Sequence, residues 1–110
     1  MLAKVRFNVL LDYYEDLLTE KQRKICRYYY RKDLSYQEIA ELEHISRAAI
    51  YDTIRHSRSE LGRYEQILHL AVLGEKRSKL YQKMQTFAKE KKLQELIKKC
   101  IQLEEGGEYE

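Results

Sequence analysis

The chain has 110 residues, a net charge of +3, no proline and only four glycines, with Ala, Leu, Glu, Lys, Arg and Gln abundant. This length suits one domain with a core of several helices, and the composition predicts an all-α helical bundle. No apolar stretch approaches the roughly 20 residues a membrane-spanning helix needs, and a signal-peptide cleavage pattern is lacking. With no phosphate loop and no nucleophile elbow either, a cytoplasmic protein that is not an enzyme and holds no cofactor is expected.

Residues 3–18 are predicted as the first helix, with Val5, Val9, Leu10, Tyr13 and Leu17 on one apolar stripe. Thr19 then caps a second helix, and Gln22 stands where a capping-box partner belongs. That helix carries Ile25, Cys26, Tyr28, Tyr29 and Tyr30 and ends near Lys32-Asp33. Three consecutive tyrosines cannot all face one way, so at least one ring is expected at the surface or at an interface. Cys26 and Cys100 are expected as core thiols, and His44, His56 and His69 make no ligand spacing with them, so no metal site is expected.

Residues 35–61, SYQEIAELEHISRAAIYDTIRHSRSEL, carry the most information. Ser35 with Glu38 is a second capping box, and Ile39, Ala40 and Leu42 are expected to form a short buried stripe behind it. Ser46 is the next N-cap candidate, opening a helix with Ile50 and Ile54 one turn apart. Between them, Glu43-His44-Ile45 must turn the chain sharply. Small Ala40 permits close approach, Ile45 fills the turn and Ile50 locks the second helix on the first. This is the pattern of a helix-turn-helix, which presents one helix face to a partner, most often the DNA major groove.

Gly62 either ends this helix or lies inside a longer one, since the periodicity continues through Tyr64, Ile67, Leu68 and Ala71. Gly74 offers another break. A further helix is expected from Ser78, with Leu80, Tyr81, Met84, Phe87 and Ala88, and a last one with Leu93, Leu96, Ile97, Cys100 and Ile101. The expected organisation is a single domain, 1–110. Its helix-turn-helix core is 18–61, a C-terminal helical extension is 62–103, and 104–110 form a flexible acidic tail. The extension must bury its stripe, either against the N-terminal helices or in a homodimer through the C-terminal helices.

Charge is unevenly placed. Residues 76–99 hold nine Lys and Arg against Glu90 and Glu95, whereas residues 1–75 are balanced. A DNA reader concentrates positive charge where it meets phosphate, so this distribution argues against tight duplex binding.

Residues 18–61 resemble region 4 of bacterial sigma factors, whose helix-turn-helix reads the promoter −35 element. The match covers the Leu18-Thr19 helix start, the stretch from Leu34 to Ala40 and the Ile45-Ser46-Arg47 turn exit. The whole chain is similar to the YlxM-type family of small bacterial helix-turn-helix proteins, especially over LLDYYEDLLTEKQRKICRYYY. That family is regarded as regulatory. Its genes neighbour those of the signal recognition particle GTPases, which links it to that pathway. The resemblance thus implies a regulatory role, with DNA as partner and the particle's RNA or GTPases as further partners.

Two departures matter. His44 stands where DNA-reading turns usually have glycine; a left-handed backbone there costs something like 1 kcal/mol, so a different turn is expected. The outward face would hold Ser46, Arg47, Ala48, Tyr51, Asp52, Arg55 and Arg58 as the nucleic-acid-binding residues. Arg47 is the leading candidate for a base or phosphate contact, with Arg55 and Arg58 next. Asp52 repels phosphate unless it accepts from a cytosine amine. Two functions fit: a DNA-binding regulator, with Arg47 and its neighbours in the major groove and Arg55, Arg58 and Arg63 holding the backbone, or an interaction module that keeps the scaffold and docks on a protein or RNA.

Overall fold

Side-chain caps set the first helix boundaries. The computed structural model describes residues 3–106, and the chain falls into two compact units, Met1–His69 and Leu70–Glu110. In the first unit, α1 spans Ala3–Tyr14 and continues into a 3₁₀ turn, Glu15–Leu17. Thr19 then opens α2, Glu20–Cys26, with both halves of its capping box made: the Gln22 amide donates to Thr19 Oγ1 at 3.1 Å and the Thr19 amide donates to Gln22 Oε1 at 3.0 Å. The Ser35/Glu38 box is likewise complete at the start of α3, Tyr36–Glu43. Ser46 caps α4, Arg47–Leu68, by accepting from the Ala49 amide at 3.1 Å.

Directly after α2, residues Arg27–Arg31 form a π-helical turn. A π-turn is wider than an α-turn, so consecutive side chains diverge by a smaller angle. Along it Tyr30 is buried while Tyr28 and Tyr29 are both half-buried.

The centre of this unit is a cluster of Ile25, Ile39, Ala40, Ile50 and Ile54, with Tyr28, Tyr29, Leu34, Tyr36 and Ile45 packed around it. Helices α2 and α3 pack on α4 here, α3 through Ile39 and Ala40 while Leu42, expected on the same buried stripe, is exposed, and α1 lies against α4 further along. The buried face of α1 is Leu10, Leu11 and Tyr14, extended by Leu18 after the 3₁₀ turn. The expected stripe is therefore wrong except for Leu10: Val5, Val9, Tyr13 and Leu17 all face outward. Helix α1 carries apolar residues on two sides, and periodicity alone cannot choose between them. Ser57 is fully buried on α4, and its hydroxyl donates to the Thr53 carbonyl at 2.7 Å. Cys26, a free thiol, is also fully buried, and burial pushes its pKa up.

Gly62 does not end α4; it sits in its interior, where glycine costs about 1 kcal/mol relative to alanine. The helix stops instead at His69, in the left-handed conformation with φ 56°. Beyond it the second unit is a pair of packed helices, α5 Leu70–Phe87 and α6 Lys91–Glu104. Gly74 is not a break either, being buried within α5. Within the pair, Gly74, Ala88 and Ile97 are buried, while Leu80, Met84, Phe87, Leu93, Leu96 and Leu103 are exposed. Glu104 still belongs to α6, where Arg77 donates to its carboxylate. Residues 107–110 of the expected tail lie outside the described residues. No helix among the described residues is long and apolar enough to cross a membrane.

Candidate nucleic-acid interface

The turn between α3 and α4 determines where the α4 face points. His44 occupies the left-handed region, φ 56° and ψ 39°. Its amide and that of Ile45 both donate to the Ala40 carbonyl, the latter at 3.2 Å. The turn therefore keeps the geometry that glycine usually provides, and the expectation of a different one does not hold. Histidine is among the residues that enter this region more readily, and the closed turn offsets a cost of about 1 kcal/mol. Ile45 is half-buried against the cluster, and Ile50, fully buried one turn into α4, fixes the helix pair.

That packing leaves the opposite face of α4 open. Ser46, Arg47, Ala48, Tyr51, Asp52 and Arg55 are all exposed along its start. Arg47 has no ion-pair partner among the described residues. Asp52 and Arg55 form a loose pair at 3.7 Å, so the acid faces its own neighbour and offsets part of the local charge. Tyr51 is not a free-standing ring. It meets Tyr36 edge-on at 5.8 Å, and Tyr36 stacks on Tyr29 at 5.0 Å with Lys4 above, 4.3 Å from the Tyr29 ring centre. This aromatic ladder braces the flank of the α4 start, an arrangement not anticipated for Tyr51.

Arg58 belongs to a different environment. It is half-buried, its Nε donates to the Tyr30 hydroxyl at 3.1 Å, and its guanidinium lies 5.2 Å from the centre of the Phe7 ring on α1. Burial pushes the Tyr30 hydroxyl's pKa up, more than the neighbouring Arg58 lowers it, so the acceptor is a neutral phenol. The cationic charge of Arg58 is thus left uncompensated.

The charge balance of residues 1–75 is a balance of numbers only. Carboxylates neutralise one set of cations: Asp33 pairs with Lys4, Glu43 with Lys24, and Glu15 and Asp12 with Arg27 and Arg31. Arg6, Lys21, Arg23, Lys32, Arg47, Arg58 and Arg63 have no carboxylate in ion-pair range among the described residues. Of these, Arg47, Arg58 and Arg63 belong to α4 and Arg6 to α1. Balanced composition therefore does not mean that every cation is neutralised in place. Sequence reasoning missed Arg6 and Phe7 because nothing local says that α1 runs beside α4; the signal at hand was the recurrence of arginine at 55, 58 and 63.

Among the described residues no group of His, Cys, Asp and Glu is arranged to hold a metal ion. Residues 1–101 match a family described as "Putative helix-turn-helix protein, YlxM / p13 like". Curated relatives include the UPF0122 protein of Oceanobacillus iheyensis, 41% identical over 99 residues that cover 90% of this chain and 94% of the relative. A second, from Halalkalibacterium halodurans, is 46% identical over 80 residues, 73% of each chain. A third, from Bacillus cereus, is 39% identical over 104 residues, 93% of this chain and 94% of the relative.

Proposed function

The chain belongs to the YlxM/p13-like helix-turn-helix family, UPF0122, and from that membership we propose that it is a cytoplasmic regulatory protein that binds duplex DNA and catalyses no reaction. The start of α4 enters the major groove and Arg47 contacts a base edge or phosphate, with Arg55 behind it. The observation that carries this reading is Arg47, exposed on the open face of α4 with no ion-pair partner among the described residues, beside a turn held in the glycine-like conformation. Asp52 tunes the face by pairing with Arg55 or by accepting from a cytosine amine.

Fluorescence anisotropy against random and selected duplexes tests the proposal. Arg47→Ala is expected to weaken binding to a selected site about tenfold and to flatten the preference between sequences. Equal binding by wild type and variant would remove Arg47 from the reading role. Absence of duplex binding by the wild type at low salt would overturn DNA as the partner. The family's resemblance-based link to the signal recognition particle supports using that particle's RNA as the second probe.

The same reading includes two copies joined through α5 and α6, matching a two-fold-symmetric site. Its support is the uncovered side of that pair: Phe87 is 76% exposed, Leu103 61%, Leu80 59% and Leu96 58%. Sedimentation equilibrium is expected to give a dimer at micromolar concentration and a monomer for Phe87→Glu/Leu96→Glu, with helical circular dichroism unchanged. A wild-type protein that stays monomeric throughout overturns this arrangement.

A further inference from the structure

Between α1 and the second half of α4 runs an open groove of about 560 Å³, lined by Arg6 and Phe7 from one side and by Arg55, Arg58, Gly62 and Arg63 from the other. No carboxylate lines it. Arg6 and Arg58 both approach the Phe7 ring, at 5.7 and 5.2 Å from its centre, so two guanidiniums flank one apolar wall. Arg58 is held in place by its bond to Tyr30, which leaves its terminal nitrogens available. Arg55 leans on Asp52 at 3.7 Å, whereas Arg6, Arg58 and Arg63 have no carboxylate in ion-pair range among the described residues; cations brought together in this way repel one another unless an anion enters between them.

A second, independent feature is Gly62. Mid-helix glycine is unfavourable, and packing does not require it: a Cβ added there would meet nothing within 4 Å. What a side chain at position 62 would do is project into the groove. Glycine therefore keeps the groove floor clear for close approach.

We propose that this groove is a second anchoring site for the nucleic acid and takes the sugar-phosphate backbone beyond the segment read by the start of α4. This rests on the DNA-binding reading above. Along α4, positions 58–63 lie about 16–24 Å from Arg47 at the helical rise. The major groove is about 12 Å wide, so a helix entering it by its first turns carries these residues out to the backbone. Guanidiniums match phosphate oxygens bidentately, and the Phe7 ring supplies an apolar wall for the sugar.

Two variants test it. Arg6→Ala/Arg63→Ala removes two exposed cations without touching the Tyr30 bond. Gly62→Gln fills the groove while favouring the helix, so lost binding cannot be blamed on unfolding. The probes are a random-sequence duplex in a salt series and inorganic tripolyphosphate in a thermal-shift titration. The double variant is expected to weaken duplex binding about tenfold regardless of sequence and to reduce the salt slope by about two. Gly62→Gln is expected to weaken duplex binding as well, with a melting temperature no lower than wild type. Tripolyphosphate should stabilise the wild type and neither variant.

A wild type that binds duplex, with the same salt slope in both variants, overturns the groove and leaves the α4 reading face standing. A wild type that binds no duplex overturns the DNA reading and the backbone assignment with it. If tripolyphosphate still stabilises only the wild type in that case, the groove serves small phosphates.

Discussion

Ile50→Ala is expected to lower the stability of the first unit by about 3 kcal/mol. Ile50 is fully buried where α3 meets α4, in the cluster with Ile25, Ile39, Ala40 and Ile54. Removing a buried isoleucine side chain beyond Cβ costs about 2–5 kcal/mol, part of it lost transfer energy and part the cavity left behind. The upper half of that range requires a site that cannot collapse, but here Tyr28, Tyr29 and Tyr36 border the cluster and can shift partly into the space. Urea unfolding followed by circular dichroism measures the change, with Arg47→Ala as the control, expected within about 0.5 kcal/mol of wild type because Arg47 is exposed. A loss below about 1 kcal/mol for Ile50→Ala would mean that the helix pair is held by something other than this contact. The loss also bears on function, because the packing of the buried face of α4, together with the α3–α4 turn, aims its open face.

What could be read in advance follows from how local each cause is. Capping boxes involve residues three apart, so Thr19, Ser35 and Ser46 identified their helix starts correctly. Ala40, Ile45 and Ile50 lie within one short segment, and their offsets identified the helix pair before any tertiary information. The buried side of α1 was not legible, because Val5, Val9, Tyr13 and Leu17 make as regular a stripe as Leu10, Leu11, Tyr14 and Leu18. Only the partner helix decides between them. The break at His69 was not legible for a related reason: Gly62 and Gly74 carry the local signature of a break, while a histidine at φ 56° has none. The π-turn at Arg27–Arg31 was equally silent: three successive tyrosines say that at least one ring faces outward, not that the helix widens.

The candidate site shows the same division. The α4 face from Ser46 to Arg55 follows from helical periodicity once the buried Ile50 and Ile54 are known. Which arginines carry free charge does not, because neutralisation is a tertiary property: Glu15 stands 12 and 16 positions before its partners Arg27 and Arg31. Arg58 was placed with Arg47 by spacing alone, yet Tyr30 and Phe7 hold it in another environment.

The Glu15 cluster yields the second large effect. Glu15 is nearly buried, its side chain 12% exposed, and both Arg27 and Arg31 donate to it, with Asp12 also accepting from Arg31. It ties the end of α1 to the π-turn after α2. Burial by itself would raise the Glu15 pKa; hydrogen bonds and charge from Arg27 and Arg31 outweigh it and hold the carboxyl below its ordinary value of 4.5. A depressed folded-state pKa means the folded state favours the charged form. The resulting stability is fully present above the unfolded value and is lost as pH falls through the folded one. Glu15→Gln should therefore cost about 2 kcal/mol at neutral pH. A fully buried broken pair costs about 3–5 kcal/mol, and the two arginines here are partly solvated, which reduces the penalty for stranding them. The difference between wild type and variant should shrink steadily as the pH is lowered below 4.5. The Lys4–Asp33 pair also depresses a carboxyl, that of Asp33, but at a fully exposed group, so salt should suppress its contribution and leave most of Glu15's. Chemical denaturation of wild type and Glu15→Gln from pH 7 down to about pH 3, at low and high salt, separates the two. A gap between the proteins that stays constant with pH would show that Glu15 acts through packing and not through its charge.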